Sequence, residues 1–354
     1  MDTFSHEQEH PHRRGRGRRS LRRSRVHAVW QTSHHPDRRG CPAHGWEPAA
    51  HGGRHPAGRE TSNAEGRQPV AEELQLTRFH YFTKAKQAGG VVTWSGDWAE
   101  LADPKGAPRV VAQLAAADGL KPVIIAQFFT QSTGELLRPL NDSTKQEYKS
   151  GAVSFAEAYR PEYIGFGVEV NMLHEASPAD YASFKAFFAE VAAAVKQASP
   201  ETKVFTVFQL ERLRGLRGGL YGGADNPAVN DWALLSDFPD ADLLAFTTYP
   251  CIVYRDPSDI PADYYTAEIT QHTSKPIAYT EAGWFRVGVA GWESTPEEQA
   301  RFVSRYLEMT KPLSPGLLVW SFLYDQGVGE PFASMGLLGK DDSTSPAWEA
   351  WLKP

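Results

Sequence analysis

The stretch Lys275-Pro-Ile-Ala-Tyr-Thr-Glu-Ala-Gly-Trp284 decides how the rest of the chain is read. Its apolar run, residues 276–279, has the length and composition of a fully buried strand. The run ends in Thr280 and Glu281, and Gly283 lets the chain turn away. A carboxylate placed where a buried strand meets a loop is costly to desolvate unless it is paired, so its position suggests use rather than packing. Taken alone, Glu281 is equally well explained as a strand-end acid tied to a neighbouring base. The rest of the chain repeats the layout and supplies a second such carboxylate, which favours use.

From about Gln68 onward, helical and strand patterns alternate. Helical periodicity covers 70–87, 108–117, 143–159, 178–197 and 295–310, with a short helix near Asp231 and a terminal one from Pro346. Buried-type strands fall at 90–94, 121–129, 163–170, 203–209, 242–248, around Glu281, and at 316–322. Apolar strands separated by helical crossovers imply a parallel sheet covered on both faces. Seven such units behind an opening helix fit an eight-fold (β/α)8 TIM barrel whose first strand is missing or degenerate. A doubly wound sheet would usually carry a Gly-rich phosphate loop after its first strand, and no G-x-G-x-x-G occurs here. The domain reading is a tail over 1–67 and a barrel over 68–354.

Composition supports one large core: 41% of the 354 residues are hydrophobic, with 18 Phe, 13 Tyr and 10 Trp. Cys41 and Cys251 are too few for a disulfide framework and show no metal-ligand spacing. No apolar run reaches the roughly 18 residues of a membrane span, and no signal peptide is visible at Met1. The formal charge of -6 hides a split, since residues 1–60 hold 12 Arg, no Lys and 6 acids. Residues 1–66 also contain 9 of the 12 His, a single Leu and no Ile. Such a segment lacks the apolar payload to offset ordering entropy, so disorder is expected. Arg, His, Pro and Gly without Lys or Ile is also what a GC-rich reading frame gives out of register, so a frame or start-site artefact competes with a real basic arm. The only candidate first strand, residues 26–30, lies about 40 residues too early. Unpaired edges at the second and eighth strands, and poor solubility, are therefore expected.

In such a barrel the site lies at the carboxyl ends of the strands. Those ends read Trp94 and Asp97, Gln127, Glu169 and Asn171, Gln209 and Glu211, Tyr249, Glu281 and Trp284, then Trp320 and Tyr324. Aromatic faces stack on pyranose rings, amides and hydroxyls bond sugar hydroxyls, and paired carboxylates do acid–base and nucleophilic work. An aromatic at any one strand end is more often core than platform. Recurrence at the same end of successive strands carries the reading.

Four segments, Gly167-Val-Glu169-Val-Asn171, Thr248-Tyr249-Pro250, Tyr279-Thr-Glu281-Ala-Gly-Trp284 and Val319-Trp320-Ser321, resemble the fourth, sixth, seventh and eighth strands of the clan of retaining β-glycosidases. Within that clan the chain from about Val70 is most similar to the arabinogalactan endo-β-1,4-galactanase family. The resemblance implies a glycoside hydrolase with Glu169 as general acid/base, Glu281 as nucleophile, Tyr249 bonded to the nucleophile and Trp320 beneath the reacting sugar. Trp94, Gln127, Asn171, Gln209, Glu211 and Trp284 complete the expected substrate contacts. The clan usually carries Asn directly before the acid/base, where it binds the sugar 2-hydroxyl; here that residue is Val168, and Asn171 or Gln127 is the expected substitute.

The chemistry needs no metal or cofactor, and the expected partner is an oligo- or polysaccharide, with neither nucleic acid nor a membrane. The family resemblance implies an exported enzyme. A barrel that binds carbohydrate or a partner without hydrolysing it is the alternative, and a basic arm on nucleic acid is a third reading that would show as salt-sensitive affinity.

Overall fold

The structure is a computed structural model that describes residues 71–353 and, ahead of them, Val26–His27 and Val29–Gln31, with side chains described from residue 80 onward. Eight parallel strands form one sheet. Strand β1 comes in two pieces, Val26–His27 and Val29–Gln31. Strands β2 (Val91–Asp97), β3 (Lys121–Gln127), β4 (Tyr163–Phe166) and β5 (Lys203–Gln209) follow. Strands β6 (Leu243–Thr248), β7 (Ile277–Ala282) and β8 (Leu317–Trp320) complete the set. Each strand from β2 to β8 pairs with its sequence neighbour.

Strand β1 closes the ring. Its first piece lies against β8, with Val26 opposite Val319 and His27 opposite Trp320. Its second lies against β2, with Val29 opposite Thr93, Trp30 opposite Trp94 and Gln31 opposite Ser95. The result is a (β/α)8 barrel with a degenerate first strand, and the expectation of unpaired edges on the second and eighth strands is corrected. Distance along the chain was a poor reason to discount residues 26–30, because loop-closure cost grows only logarithmically with length. The rest of the segment over 1–67, expected to be disordered, lies outside the described residues.

Helices α1 (Ala71–Ala88), α2 (Ala107–Ala117), α3 (Asp142–Tyr159), α4 (Val170–Ala176) and α5 (Pro178–Ala198) come first along the chain. Helices α6 (Leu210–Leu213), α7 (Ile269–His272), α8 (Pro296–Thr310) and α9 (Pro346–Leu352) follow. Their starts are written into the sequence. Asn141 accepts from Thr144 N at the head of α3. Thr295 and Glu298 form a reciprocal capping box before α8, and Ser345 caps α9. Each such cap satisfies a backbone donor that the first helical turn leaves unpaired.

Strand alternation divides the core into two layers. Val91, Val123, Ile125, Phe205, Val207, Ala245, Ala278 and Val319 belong to a cluster inside the barrel. Val92, Trp94, Ile124, Phe166, Phe208, Phe246, Tyr279 and Trp320 belong to the larger layer between sheet and helices. Which parity a residue occupies therefore decides whether it reaches the barrel mouth.

Candidate active site

Glu169 owes its position to a break in β4. A strand running through to residue 170 is the sequence expectation, but β4 stops at Phe166. Gly167 adopts φ 77°, which glycine tolerates without strain. Glu169 then sits at φ 60°, ψ 45°, immediately ahead of α4. That left-handed conformation costs a non-glycine residue on the order of 1–2 kcal/mol, and such strain persists where surrounding structure holds it, typically at functional sites. The hydroxyl of Thr247 on β6 donates to Glu169 Oε1 at 2.7 Å.

Glu281 reaches the site through a bulge. Ala278 faces the barrel interior, so strict alternation would send Glu281 outward among the helices. The register instead shifts: Phe246 pairs with Tyr279, and Thr247 then pairs with Glu281. Thr280 is the extra residue, and a bulge of this kind re-aims the side chain that follows it. Its hydroxyl is buried without a hydrogen-bond partner among the described residues. Tyr249 donates to Glu281 Oε2 at 2.6 Å, and Ser321 Oγ lies 2.9 Å from the Tyr249 hydroxyl. Gly283 is needed for packing rather than for a turn. A Cβ there would meet the Tyr249 ring at 2.9 Å and Met335 Sδ at 3.0 Å.

Thr247 thus bonds one carboxylate and is the strand partner of the other. Burial, reinforced by the negative charge of Glu281, pushes the Glu169 carboxyl up to about 8. Burial also pushes Glu281 up to about 7, with the Tyr249 hydrogen bond opposing it. Near neutrality Glu169 is the protonated partner, and Glu281 gives up its proton first. The pair titrates as a coupled unit.

Raised carboxyls bear on stability with a definite sign. A carboxyl whose folded pKa lies above its unfolded value favours the fold while protonated, and that contribution is lost as pH rises through the folded pKa. Glu169→Gln and Glu281→Gln should therefore melt higher than the intact chain at pH 8.5 and nearly level with it at pH 4. An equal offset at both pH values would show that neither carboxyl is perturbed.

Glu211, expected to touch substrate, lies at 0% exposure beneath the site. Thr248 Oγ1 and the Tyr264 hydroxyl donate to its Oε1 at 2.8 and 2.9 Å, while Gln209 Nε2 and Tyr249 N donate to its Oε2 at 2.6 and 3.2 Å. Such a cage of donors suits a carboxylate, although burial raises its pKa. Gln209 is spent likewise: its Oε1 accepts from Arg212 N at 2.6 Å, and Nε2 also donates to the Tyr221 hydroxyl at 2.9 Å. Asn171 is fully buried, with Oδ1 accepting from Gln209 N and Nδ2 donating to Gln209 O. These three residues are corrected from substrate contacts to supports.

Asn171 is sealed at 0% exposure with its amide turned to the Gln209 backbone, out of reach of a sugar hydroxyl. Of the two expected substitutes for the residue replaced by Val168, only Gln127 is half-buried with one amide hydrogen committed, to Ser95 Oγ at 2.9 Å. Val168 itself belongs to the interior apolar cluster.

The three expected tryptophan platforms are corrected too, and each is at 0% exposure. Trp94 and Trp320 occupy outward-facing parity positions beside inward Val91 and Val319. Trp320 packs 5.9 Å from Phe302 and 6.0 Å from Trp351, centroid to centroid, and donates to Met335 O. Trp284 lies 5.1 Å from Phe302 and donates to Ser294 Oγ. In their place the site gains Thr247 and Ser321, both readable from strand parity. It also gains Tyr221 and Phe332, on loops whose sequence carries no periodic signal. The Arg212 guanidinium stacks 4.6 Å over Tyr221. Among the described residues no group of three or more His, Cys, Asp or Glu is placed to hold a metal ion, and no helix is long and apolar enough to cross a membrane.

No protein-family model matches the chain, and no curated protein matches it. Solved structures do. A GH5_18 glycoside hydrolase of Streptomyces cattleya, in complex with Manβ1-4GlcNAc, superposes with a TM-score of 0.55 at 14% identity, covering 79% of this chain and 74% of that one. A family 17 β-1,3-glucanosyltransferase of Rhizomucor miehei gives 0.53 at 16% identity over 81% of this chain and 94% of that one. A GH2 β-galacturonidase of Eisenbergiella tayi gives 0.53 at 14% identity over 78% of this chain. The chain spans only 46% of that last protein's length and 56% of an exo-β-1,4-mannosidase from an Opitutaceae bacterium. The barrel fold is therefore one that glycoside hydrolases use.

Proposed function

We propose that the chain is a retaining glycoside hydrolase of β-linked glycans. The observation that carries this reading is the convergence of two carboxylates on Thr247. Its hydroxyl bonds Glu169, and its strand register is with Glu281. In double displacement Glu281 attacks the anomeric carbon while Glu169 protonates the departing oxygen. The glycosyl ester on Glu281 is then hydrolysed by a water that Glu169 deprotonates. The order of the two proton affinities suits these roles. Tyr249 holds the attacking carboxylate in place, and Ser321 supports Tyr249.

The sequence resemblance makes β-1,4-galactan the first polysaccharide to try and an exported enzyme the setting. The test is turnover of aryl β-glycosides and a glycan panel as a function of pH. A bell is expected, its acidic limb near 7 from Glu281 and its basic limb near 8 from Glu169. Val168 favours a second reading, a barrel that binds sugar without cleaving it. Binding without turnover on any member of the panel would establish that reading instead.

A further inference from the structure

With Trp94, Trp284 and Trp320 all sealed behind the strands, the mouth beside Glu281 lacks the flat apolar surface that the sequence promised. Phe332 is the exposed aromatic that packs against Tyr249. It belongs to an excursion after β8 whose base is closed where Tyr324 bridges Leu338. The ring is 37% exposed and stands edge-on to Tyr249, centroids 5.8 Å apart at 82°. Tyr249 is the residue whose hydroxyl bonds Glu281, so Phe332 packs against the residue that holds the nucleophile.

The excursion is anchored, which a platform requires. Arg286, on the loop that follows Glu281, forms an ion pair with Asp325 at the base, and donates from its backbone N to Ser334 O at 3.0 Å. Val287 N donates to Ser334 Oγ at 3.2 Å, and Gly336 N donates to Asp325 Oδ1 at 3.0 Å. The backbone carrying Phe332 is thereby tied to the same loop that leaves the nucleophile strand. An isolated exposed phenylalanine needs no explanation. One held against the partner of a carboxylate pair, where the three expected tryptophans have been withdrawn, has a use.

We propose that Phe332 is the aromatic platform for the pyranose ring held at Glu281. A phenyl ring has no polar tip, so it contributes only a face to the C–H side of a neutral sugar, and orientation of the hydroxyls is left to Gln127 and its neighbours. This rests on the carbohydrate reading above. It assigns a contact that no strand-end residue supplies.

The test measures affinity apart from turnover. Full-length chain carrying Glu281→Gln is titrated calorimetrically with tetrasaccharides of β-linked glucose, mannose, galactose and xylose. Phe332→Ala and Phe332→Leu are then added, Leu keeping apolar bulk against Tyr249 without a flat face, and Phe332→Trp in parallel. The expected result is affinity weakened about tenfold or more by Ala and Leu, and within about twofold of the parent for Trp. Melting temperatures report that the variants remain folded. Ala and Leu variants that bind as tightly as the parent would overturn the platform, and turnover by the unmodified chain would keep the hydrolase reading alive. Loss of affinity restored by Trp, with no turnover by the unmodified chain, would uphold the platform and remove the hydrolase. A chain that binds none of the four sugars would overturn the platform.

Discussion

Glu281→Ala should abolish turnover, by about 10⁴-fold or more, the scale seen when one member of a catalytic unit is lost, while the fold and sugar affinity survive. Sodium azide should partly restore the variant. The small anion enters the space left by the carboxylate and attacks the anomeric carbon from that face, giving a glycosyl azide of inverted configuration. Glu169→Ala should behave differently. An activated aryl leaving group departs without protonation, so the first step survives while natural glycosides fail. Azide then attacks the glycosyl ester from the opposite face and yields a product of retained configuration. These opposite stereochemical outcomes separate the two roles more sharply than any rate. The reading requires the two carboxyls to work about 5–5.5 Å apart, the spacing of retaining enzymes. Unchanged activity in either variant would mean that the site lies elsewhere, and inverted product from the unmodified chain would replace double displacement by a single attack of water.

The barrel was legible because it rests on strong signals. Strands β5 and β6 are predominantly apolar, broken only by Thr206 and by polar ends, and helix α8 opens with a capping box that sequence alone displays. The platforms were not legible, for a physical reason. Side-chain direction in a strand alternates, and a single bulge inverts everything after it. Taking the aromatics near each strand end as site-facing gave Trp94 and Trp320, one position out of phase with Ser95 and Ser321. The same inversion worked in favour of Glu281, which strict alternation would have buried among helices. Strand β1 was misjudged for another reason. Its pieces are short, and their pairing with β2 and β8 is a tertiary fact that no local pattern encodes.

The buried acid below the site makes the second large prediction. Glu211 is expected to act as a positioning residue, through two groups. It fixes the backbone of Tyr249, whose hydroxyl holds Glu281, and its negative charge helps to raise the proton affinity of Glu169. Glu211→Gln keeps the shape and removes the charge. Its new amide can keep the oxygen toward Gln209 Nε2 and Tyr249 N and turn its NH2 to the Thr248 and Tyr264 hydroxyls, which accept as well as donate. The hydroxyls lose their bonds to a charged acceptor, worth about 1.5–3 kcal/mol each, and relief of the buried charge offsets much of this, so urea melts should show a loss of no more than roughly 2 kcal/mol. On activity, kcat should fall by about 10–100-fold with little change in KM, since the lost contacts serve the reacting groups rather than the sugar. The pH dependence carries the decisive sign. With one negative charge gone, Glu169 releases its proton more readily, so the basic limb should move to lower pH and narrow the bell. A purely structural role would cost stability and leave that limb in place. A folded Glu211→Gln enzyme whose basic limb stays near 8 would therefore remove Glu211 from the electrostatics of the site.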